Sequence, residues 1–169
     1  MRHLIIAKQP NSKMCLVCGL KNPFGLQAAF YELDNRELLA IFRPRPEHQG
    51  YPGRLHGGIA TAILDETIGR AVMHHHAGEA VWGVTIEITT RFKQAVPIDG
   101  ELRVIGRLIE EGRRGFTGSG EILLADGSVA VTGQGRYMKL SLNRIADFDE
   151  KVQEWRVVAD PADPTFLDI

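Results

Sequence analysis

The sequence has few cysteines, almost no net charge and no long hydrophobic run. Its two cysteines, Cys15 and Cys18, are too few for a disulfide framework. The formal net charge of −1 creates no field that would draw the chain to nucleic acid or to an anionic membrane. The apolar run at residues 4–7 is too short for a signal peptide or a membrane span. We therefore expect a cytoplasmic protein with reduced thiols and with neither a nucleic-acid nor a membrane partner.

The chain is predicted to contain one main domain. Its 169 residues and hydrophobic content of 44% suffice for a soluble domain with its own core. We assign this domain to residues 24–140, preceded by an N-terminal extension with a C-x-x-C turn (1–23) and followed by a short helix and a tail (141–169). The helix prediction rests on apolar residues at helical spacing, namely Ile145, Phe148, Val152 and Trp155.

The middle of the chain predicts one helix surrounded by strands. Residues 57–75 contain no proline and carry apolar side chains around most of a helical wheel, which is typical of a helix buried on nearly all sides. The turns after this helix are short, so the strands that they join must be antiparallel. The predicted strands are 26–31, 37–43, 84–92, 101–110, 116–124 and 128–140. The expected fold class is α+β, with an antiparallel sheet of about six strands wrapped around one long central helix.

The start of the predicted helix has the features of an anion-binding site. Gly57 and Gly58 leave the first backbone N–H groups uncovered, and these groups lie at the positive end of the helix dipole. Such donors stabilise a carbonyl oxygen that gains negative charge during a reaction. The alternative is that the glycines only allow a strand or loop to pack closely.

Asp65 is a charged residue in the middle of the apolar helix. An ionised carboxylate is costly there unless a partner or a function compensates for it. We predict that Asp65 is catalytic; the alternative is a structural carboxylate paired with Arg70 or Arg91. Glu66 is the weaker candidate, because it is expected on a stripe that faces solvent or another subunit.

Gly57 and Asp65 are too far apart to act together within one chain. At about 1.5 Å of rise per residue they are separated by roughly 12 Å along the helix axis. If both serve one reaction, two chains must supply them. We therefore expect a homodimer, alone or as half of a homotetramer, in which two helices run side by side and form two equivalent sites.

Two motifs resemble a known family. His56-Gly57-Gly58, followed after six residues by Asp65, is similar to the signature of the PaaI-like branch of the hotdog-fold thioesterases, which hydrolyse acyl-CoA thioesters. The pattern C-x-x-C-G-x-x-N-P-x-G-L at residues 15–26 extends the resemblance, which covers residues 15–140. It implies a hydrolase that needs no cofactor, with coenzyme A only as part of the substrate.

The resemblance also implies a role for each residue of the motif. Gly57, with Gly58 beside it, would polarise the thioester carbonyl through a backbone N–H. Asp65 of the neighbouring subunit would attack this carbonyl or activate the attacking water. His56 would shape the helix start, and the hydroxyl of Thr85 would help to hold the water, although a threonine is also an ordinary strand residue.

Position 50 departs from the family pattern. Several relatives carry an asparagine six residues before the helix-start histidine, where this chain has Gly50. His48 or Gln49 would have to replace that asparagine in binding the substrate. The departure leaves open a second function, a non-catalytic module that binds acyl-CoA. A hotdog hydratase is disfavoured, because the sequence lacks the Asp-x-x-x-x-His pair of such enzymes.

The phosphates of coenzyme A require local basic residues in a chain without net positive charge. Arg113 and Arg114 lie on a glycine-flanked turn, and Arg54 and Lys93 flank the predicted helix and strand. We predict that these four residues bind the substrate. The alternative for each is a solvated surface charge.

No metal site is predicted from the sequence. The run His74-His75-His76 resembles a metal cluster, but successive residues of a helix point about 100° apart. Cys15 and Cys18 have no second pair of ligands nearby in the sequence, so they are at most half of a zinc site. The expected role of the cysteines is a structural turn, with a metal shared between two chains as the alternative.

Overall fold

The structure, a computed structural model, describes residues 2–76 and 81–168. Met1 and Ile169, the outermost residues of the predicted extension and tail, lie outside the described residues. The strands are β1 (Arg2–Lys8), β2 (Ala29–Leu33), β3 (Leu38–Phe42), β4 (Gly83–Phe92), β5 (Leu102–Glu111), β6 (Gly115–Leu123), β7 (Val129–Lys139) and β8 (Phe166–Asp168). The helices are α1 (Gly57–Arg70) and the single turn α2 (Leu142–Ile145), with 3₁₀ turns at Pro46–His48 and Ala71–His75.

The eight strands form one antiparallel sheet in the order β4-β7-β6-β5-β3-β2-β1-β8. All six predicted strands are present, with ends that differ from the prediction by up to three residues. The predicted strand count is wrong, because β1 and β8 extend the sheet. Neither strand was predicted from the sequence. Strand β8 has only three residues, and the apolar residues of β1 were considered only as a possible signal peptide or membrane span. A long helix wrapped by an antiparallel sheet is nevertheless the hotdog arrangement.

Helix α1 packs tightly against the concave face of the sheet. Ile63, Leu64 and Ile68 are fully buried in this interface. Two strand glycines allow the close approach: a Cβ at Gly106 would lie 2.7 Å from a backbone oxygen of the helix, and a Cβ at Gly118 would lie 2.6 Å from the side chain of Ile68. Because any larger residue at these positions would push the helix away, the glycines set the distance between helix and sheet.

The opposite side of α1 is covered only in part. Ala62, Asp65, Glu66 and Gly69 are half-buried, so the expectation of a helix buried on nearly all sides does not hold for a single chain. The N-terminal extension supplies some of the cover. It is anchored by the buried Asn11, whose Nδ2 donates hydrogen bonds to the carbonyl oxygens of residues 18 and 28 at 2.8 and 2.9 Å.

The predicted C-terminal amphipathic helix is wrong. Only the turn α2 forms, and it ends at Ile145. Phe148 and Trp155 pack instead against Trp82, at ring-centroid distances of 5.8 and 5.2 Å. The aromatic side chains at these positions therefore contact a distant tryptophan and do not line one face of a helix.

The end of the chain covers the convex face of the sheet. Leu167 on β8 is buried in a second apolar cluster with Leu33 and Leu39.

Within residues 2–76 and 81–168, no helix has the length and hydrophobicity that crossing a membrane requires.

Candidate active site

The start of α1 offers a free backbone donor at Gly57. His56 is the N-cap residue, and its Nδ1 accepts a hydrogen bond from the N–H of Gly58 at 2.9 Å. The N–H of Gly57 has no hydrogen-bond acceptor among the residues that the structure describes. Both glycines are exposed. The amide of Gly57 is thus available to a ligand oxygen, whereas that of Gly58 is used by the cap.

The carboxylate of Asp65 accepts hydrogen bonds from two hydroxyl groups. Thr85 on β4 donates to Oδ1 and Oδ2 at 2.9 and 3.1 Å, and Tyr137 on β7 donates to Oδ1 at 3.0 Å. The alternative pairing with Arg70 is not formed, because that guanidinium donates to Glu66 at 2.8 Å instead. Within the described part of the chain, Asp65 forms no salt bridge.

The environment of Asp65 suits a general base. Partial burial raises the pKa of its carboxyl above the ordinary aspartate value, and the hydrogen bonds from Thr85 and Tyr137 offset only part of this rise. Burial, followed by the nearby carboxylate charge, also raises the pKa of Tyr137, so this hydroxyl stays protonated and remains a donor. A carboxylate with a raised pKa holds a transferred proton more strongly, which favours proton abstraction near neutral pH.

Tyr137 was missed by the sequence analysis, although one signal was present. A Cβ at Gly135 would lie 2.5 Å from the hydroxyl oxygen of Tyr137, so only glycine leaves room for the ring. The two residues are two apart on β7 and therefore face the same side of the strand. Phe116 of β6 stacks on the ring at a centroid distance of 4.9 Å. A strand glycine two residues before a tyrosine can thus indicate an aromatic ring that lies flat along the sheet.

A cavity of about 240 Å³ opens in front of Asp65. Thr85 and Tyr137 line the same cavity. Its other walls come from the N-terminal extension, from α1 and from the aromatic cluster, and include Cys15, Cys18, Glu66, Trp82 and Trp155. The mixture of a carboxylate, two hydroxyl groups and apolar rings is suited to a ligand with a reactive polar group and an apolar body.

The predicted phosphate-binding residues fall into two groups. Arg54 pairs with Pro97 in an isolated bridge shortly before α1, and Lys93 follows β4 directly. The preceding Phe92 lies close to the helix start, since a Cβ at Gly57 would be 3.4 Å from its ring. Arg54 and Lys93 are both exposed and belong to the N-terminal end of the helix.

The second group lies at the other end of α1. Arg113 and Arg114 are exposed on the turn between β5 and β6. Glu111, just before this turn, bonds to His76 at 2.6 Å, and His76 follows the 3₁₀ turn that continues the helix. One chain therefore does not bring the four basic residues together.

His48 and Gln49 have local partners. His48 is buried; its Nδ1 accepts the N–H of Arg45 at 3.0 Å and its Nε2 bonds to a backbone carbonyl at 2.9 Å. Gln49 accepts the N–H of Gly53 through Oε1 at 3.2 Å. Since both ring nitrogens of His48 are occupied, this geometry favours a structural role.

A Cβ at Gly50 would lie 3.3 Å from His56, so position 50 does adjoin the helix start.

The three consecutive histidines turn to different partners. His74 bonds to Glu32 at 2.9 Å, and His76 bonds to Glu111 at 2.6 Å. The ring of His75 meets His74 edge-on at a centroid distance of 5.8 Å. His74 and His76 are therefore tied to separate carboxylates, on β2 and β5 respectively.

Comparisons with known proteins show what the region of this site resembles. Residues 52–131, which include the helix start, Asp65 and Thr85, match the family model described as Thioesterase superfamily. The stretch that carries these residues is therefore similar to the thioesterase superfamily. A crystal structure of a protein described as a thioesterase superfamily protein has a TM-score of 0.66 and 28% identity; the match covers 74% of this chain and 63% of that one.

Two curated relatives are longer than the chain. Acyl-coenzyme A thioesterase THEM5 of Mus musculus is 28% identical over an alignment of 117 residues; the match covers 55% of this chain and 45% of the relative. Acyl-coenzyme A thioesterase THEM4 of Xenopus laevis is 31% identical over 90 residues, which are 52% of this chain and 38% of the relative. The matched region thus spans less than half the length of these curated relatives.

Proposed function

We propose that the chain is an acyl-CoA thioesterase of the PaaI-like branch, which hydrolyses the thioester to a free acid and coenzyme A without a further cofactor. The observation that carries the proposal is the carboxylate of Asp65, held by Thr85 and Tyr137 at the mouth of a cavity. The match of residues 52–131 to the Thioesterase superfamily model and the names of two curated relatives support it.

The proposed catalyst is a homodimer, alone or as half of a tetramer. Strand β4 is an edge of the sheet and exposes apolar side chains, with Val84, Ile86 and Phe92 at 37%, 55% and 52% exposure. An apolar edge strand is normally covered, since it would otherwise pair with other chains. Pairing of β4 with its copy would set two α1 helices side by side and bring Gly57 of one chain towards Asp65 of the other.

The proposed reaction uses each group of the site once. The N–H of Gly57 from the partner stabilises the oxygen of the thioester carbonyl as it becomes negative. Asp65 removes a proton from water, the water oxygen bonds to the carbonyl carbon, and the C–S bond then breaks. The coenzyme A thiolate leaves and takes up the proton. In the alternative route Asp65 attacks the carbonyl itself, and water then hydrolyses the resulting anhydride.

In this dimer the two groups of basic residues approach one site. The N-terminal end of one helix lies beside the later half of the other, so Arg54 and Lys93 of one chain face Arg113 and Arg114 of its partner. We propose that these residues bind the phosphates of coenzyme A. A cationic cluster shared by two chains also explains why the chain needs no overall positive charge.

A panel of acyl-CoAs with a thiol reagent tests the proposed activity. We expect thiol release by the wild type and a loss of about 10²-fold or more in kcat for Asp65→Asn, which keeps the shape but not the charge. The control is Asp99→Asn, an exposed aspartate in the turn before β5. Equal rates for wild type and Asp65→Asn would remove Asp65 from the mechanism. Tight acyl-CoA binding without thiol release would instead identify the non-catalytic binding module.

A mixing experiment tests whether one site uses two chains. Subunits with Asp65→Asn are mixed with subunits with Gly57→Pro, and the dimers are allowed to exchange. Each mixed dimer then has one intact pair of groups, so random exchange restores about a quarter of the wild-type activity. If both groups of a site came from the same chain, mixing would restore nothing.

A further inference from the structure

The C-x-x-C turn packs against helix α1 directly beside the proposed active site. The Sγ atoms of Cys15 and Cys18 and a carboxylate oxygen of Glu66 all lie within 4.8 Å of one another. Both thiols are free, with Cys18 buried and Cys15 partly buried. The third group comes from a residue 48 positions further along the chain, so only the fold reveals it.

The turn holds the sulfur of Cys15 in a geometry that favours a thiolate. Its Sγ accepts hydrogen bonds from the backbone N–H groups of Val17 and Cys18, at 3.3 and 3.4 Å. Gly19 closes the turn by donating to the carbonyl oxygen of Cys15 at 2.9 Å, and a Cβ at Gly19 would lie only 2.4 Å from that oxygen. The glycine is therefore required for the turn, and the turn orients the sulfur.

We propose that Cys15, Cys18 and Glu66 bind a zinc ion. In tetrahedral sites zinc binds sulfur at about 2.3 Å and carboxylate oxygen at about 2.0–2.2 Å, so its ligand atoms lie roughly 3.5–4 Å apart. The separation of at most 4.8 Å needs only small side-chain movements to reach this geometry. Thiolate ligands select zinc over magnesium or calcium. The three ligands also line the cavity, which leaves the fourth coordination position for water or ligand.

The charges around the three ligands balance when zinc is bound. The guanidinium of Arg70 is buried, donates to Oε1 of Glu66 at 2.8 Å and lies over the rings of Phe30 and Trp155 at 4.4 and 4.8 Å. This cation is fixed in place, and it leaves Oε2 of Glu66 for the metal. Two thiolates and one carboxylate supply three negative charges, which Arg70 and a divalent ion neutralise.

The site differs from the sequence-based prediction that no metal site exists. That prediction treated the two cysteines as half of a zinc site, because no second ligand pair is close in the sequence. Glu66 supplies the missing ligand through the packing of α1. Bound zinc would join the N-terminal extension to the helix that carries Asp65, and this cross-link would exist whether or not the chain hydrolyses thioesters.

Metal binding can be measured without an assay of catalysis. The reduced protein is freed of metal with a chelator and titrated with Zn²⁺ in a calorimeter, and separately with Co²⁺ under argon. We expect one ion per chain, a sulfur-to-cobalt charge-transfer band, and a melting temperature that rises by about 5 °C or more at saturating zinc. Zinc should also protect both thiols from alkylation.

Variants identify the ligands. Cys15→Ser, Cys18→Ser and Glu66→Gln are each expected to weaken zinc binding at least about tenfold. Glu66→Gln keeps an acceptor for Arg70, so it separates metal binding from the salt bridge. The matched control is His75→Asn, which alters the histidine run and should leave the zinc stoichiometry unchanged.

Three results would overturn the proposal. The first is a wild-type protein with two titratable thiols that takes up no zinc. The second is a cobalt complex without a thiolate charge-transfer band, a readout on the wild type that does not depend on whether the cysteine variants fold. The third is protein that retains a Cys15–Cys18 disulfide under reducing conditions, because the turn would then be a redox pair rather than a metal site.

Discussion

The hydroxyl of Tyr137 lies 3.0 Å from both the carboxylate Oδ1 and the backbone carbonyl oxygen of Asp65. One side chain of the sheet therefore fixes the position of the helix backbone and of the acid that it carries. The ring of Tyr137 has this reach because Gly135 leaves space beneath it and Phe116 stacks above it.

Removing the hydroxyl of Tyr137 should shift the pH dependence of hydrolysis. The reaction requires ionised Asp65, so kcat/KM falls as the pH drops through the pKa of this carboxyl. Burial already raises that pKa, and the bond from Tyr137 lowers it. In Tyr137→Phe we expect the acidic limb of the kcat/KM profile to move to higher pH and kcat to fall by up to about tenfold.

Thr85→Val is the companion variant, since it removes the second hydroxyl without changing the side-chain shape. It should move the acidic limb in the same direction. The profiles are measured with and without a chelator, so that metal bound at the adjacent Glu66 does not affect the comparison. A limb that stays in place in both variants would contradict the role of these two hydroxyl groups.

Gly135→Ala should disturb Tyr137 and destabilise the fold. The new Cβ would lie 2.5 Å from the tyrosine hydroxyl, so either the ring or the strand must move. Overpacking of this kind costs about 1–3 kcal/mol in the free energy of unfolding. Denaturant unfolding measures the loss. The control is Gly100→Ala, because a Cβ at that position meets nothing within 4 Å.

Gly57→Pro should remove the oxyanion donor while the helix stays intact. Proline lacks the N–H group but is well tolerated at the first position of a helix, where that N–H is not needed. The preceding His56 has φ −63° and ψ 135°, which is compatible with a following proline. We expect kcat to fall about 10²-fold with little change in melting temperature. Gly57→Ala retains the N–H and should keep most of the activity.

His56→Ala should weaken the start of α1. It removes the acceptor for the N–H of Gly58, at a cost of about 1 kcal/mol in the free energy of unfolding. His56→Asn restores a capping side chain and should recover most of this loss. Equal stability of the alanine and asparagine variants would show that the observed hydrogen bond contributes nothing to the helix.

The sequence alone determined the central elements of the fold. Apolar periodicity located the helix from Gly57 onwards and the six central strands, because burial imposes one period on helices and another on strands. Asp65 was singled out because a charged residue in an apolar helix is a local feature of the sequence, and Thr85 because of the family resemblance; the structure places the two side chains in hydrogen-bond contact.

Only the tertiary structure decided which residues surround Asp65. Tyr137 lies 72 positions from Asp65, and Cys15 lies 51 positions from Glu66; they meet because the sheet curves around α1 and the N-terminal extension folds back on it. The packing of Trp155 against Trp82, in place of the predicted helix, has the same origin. A local sequence pattern indicates which side chains are buried. It does not indicate their partners, because these come from segments that are distant in the sequence.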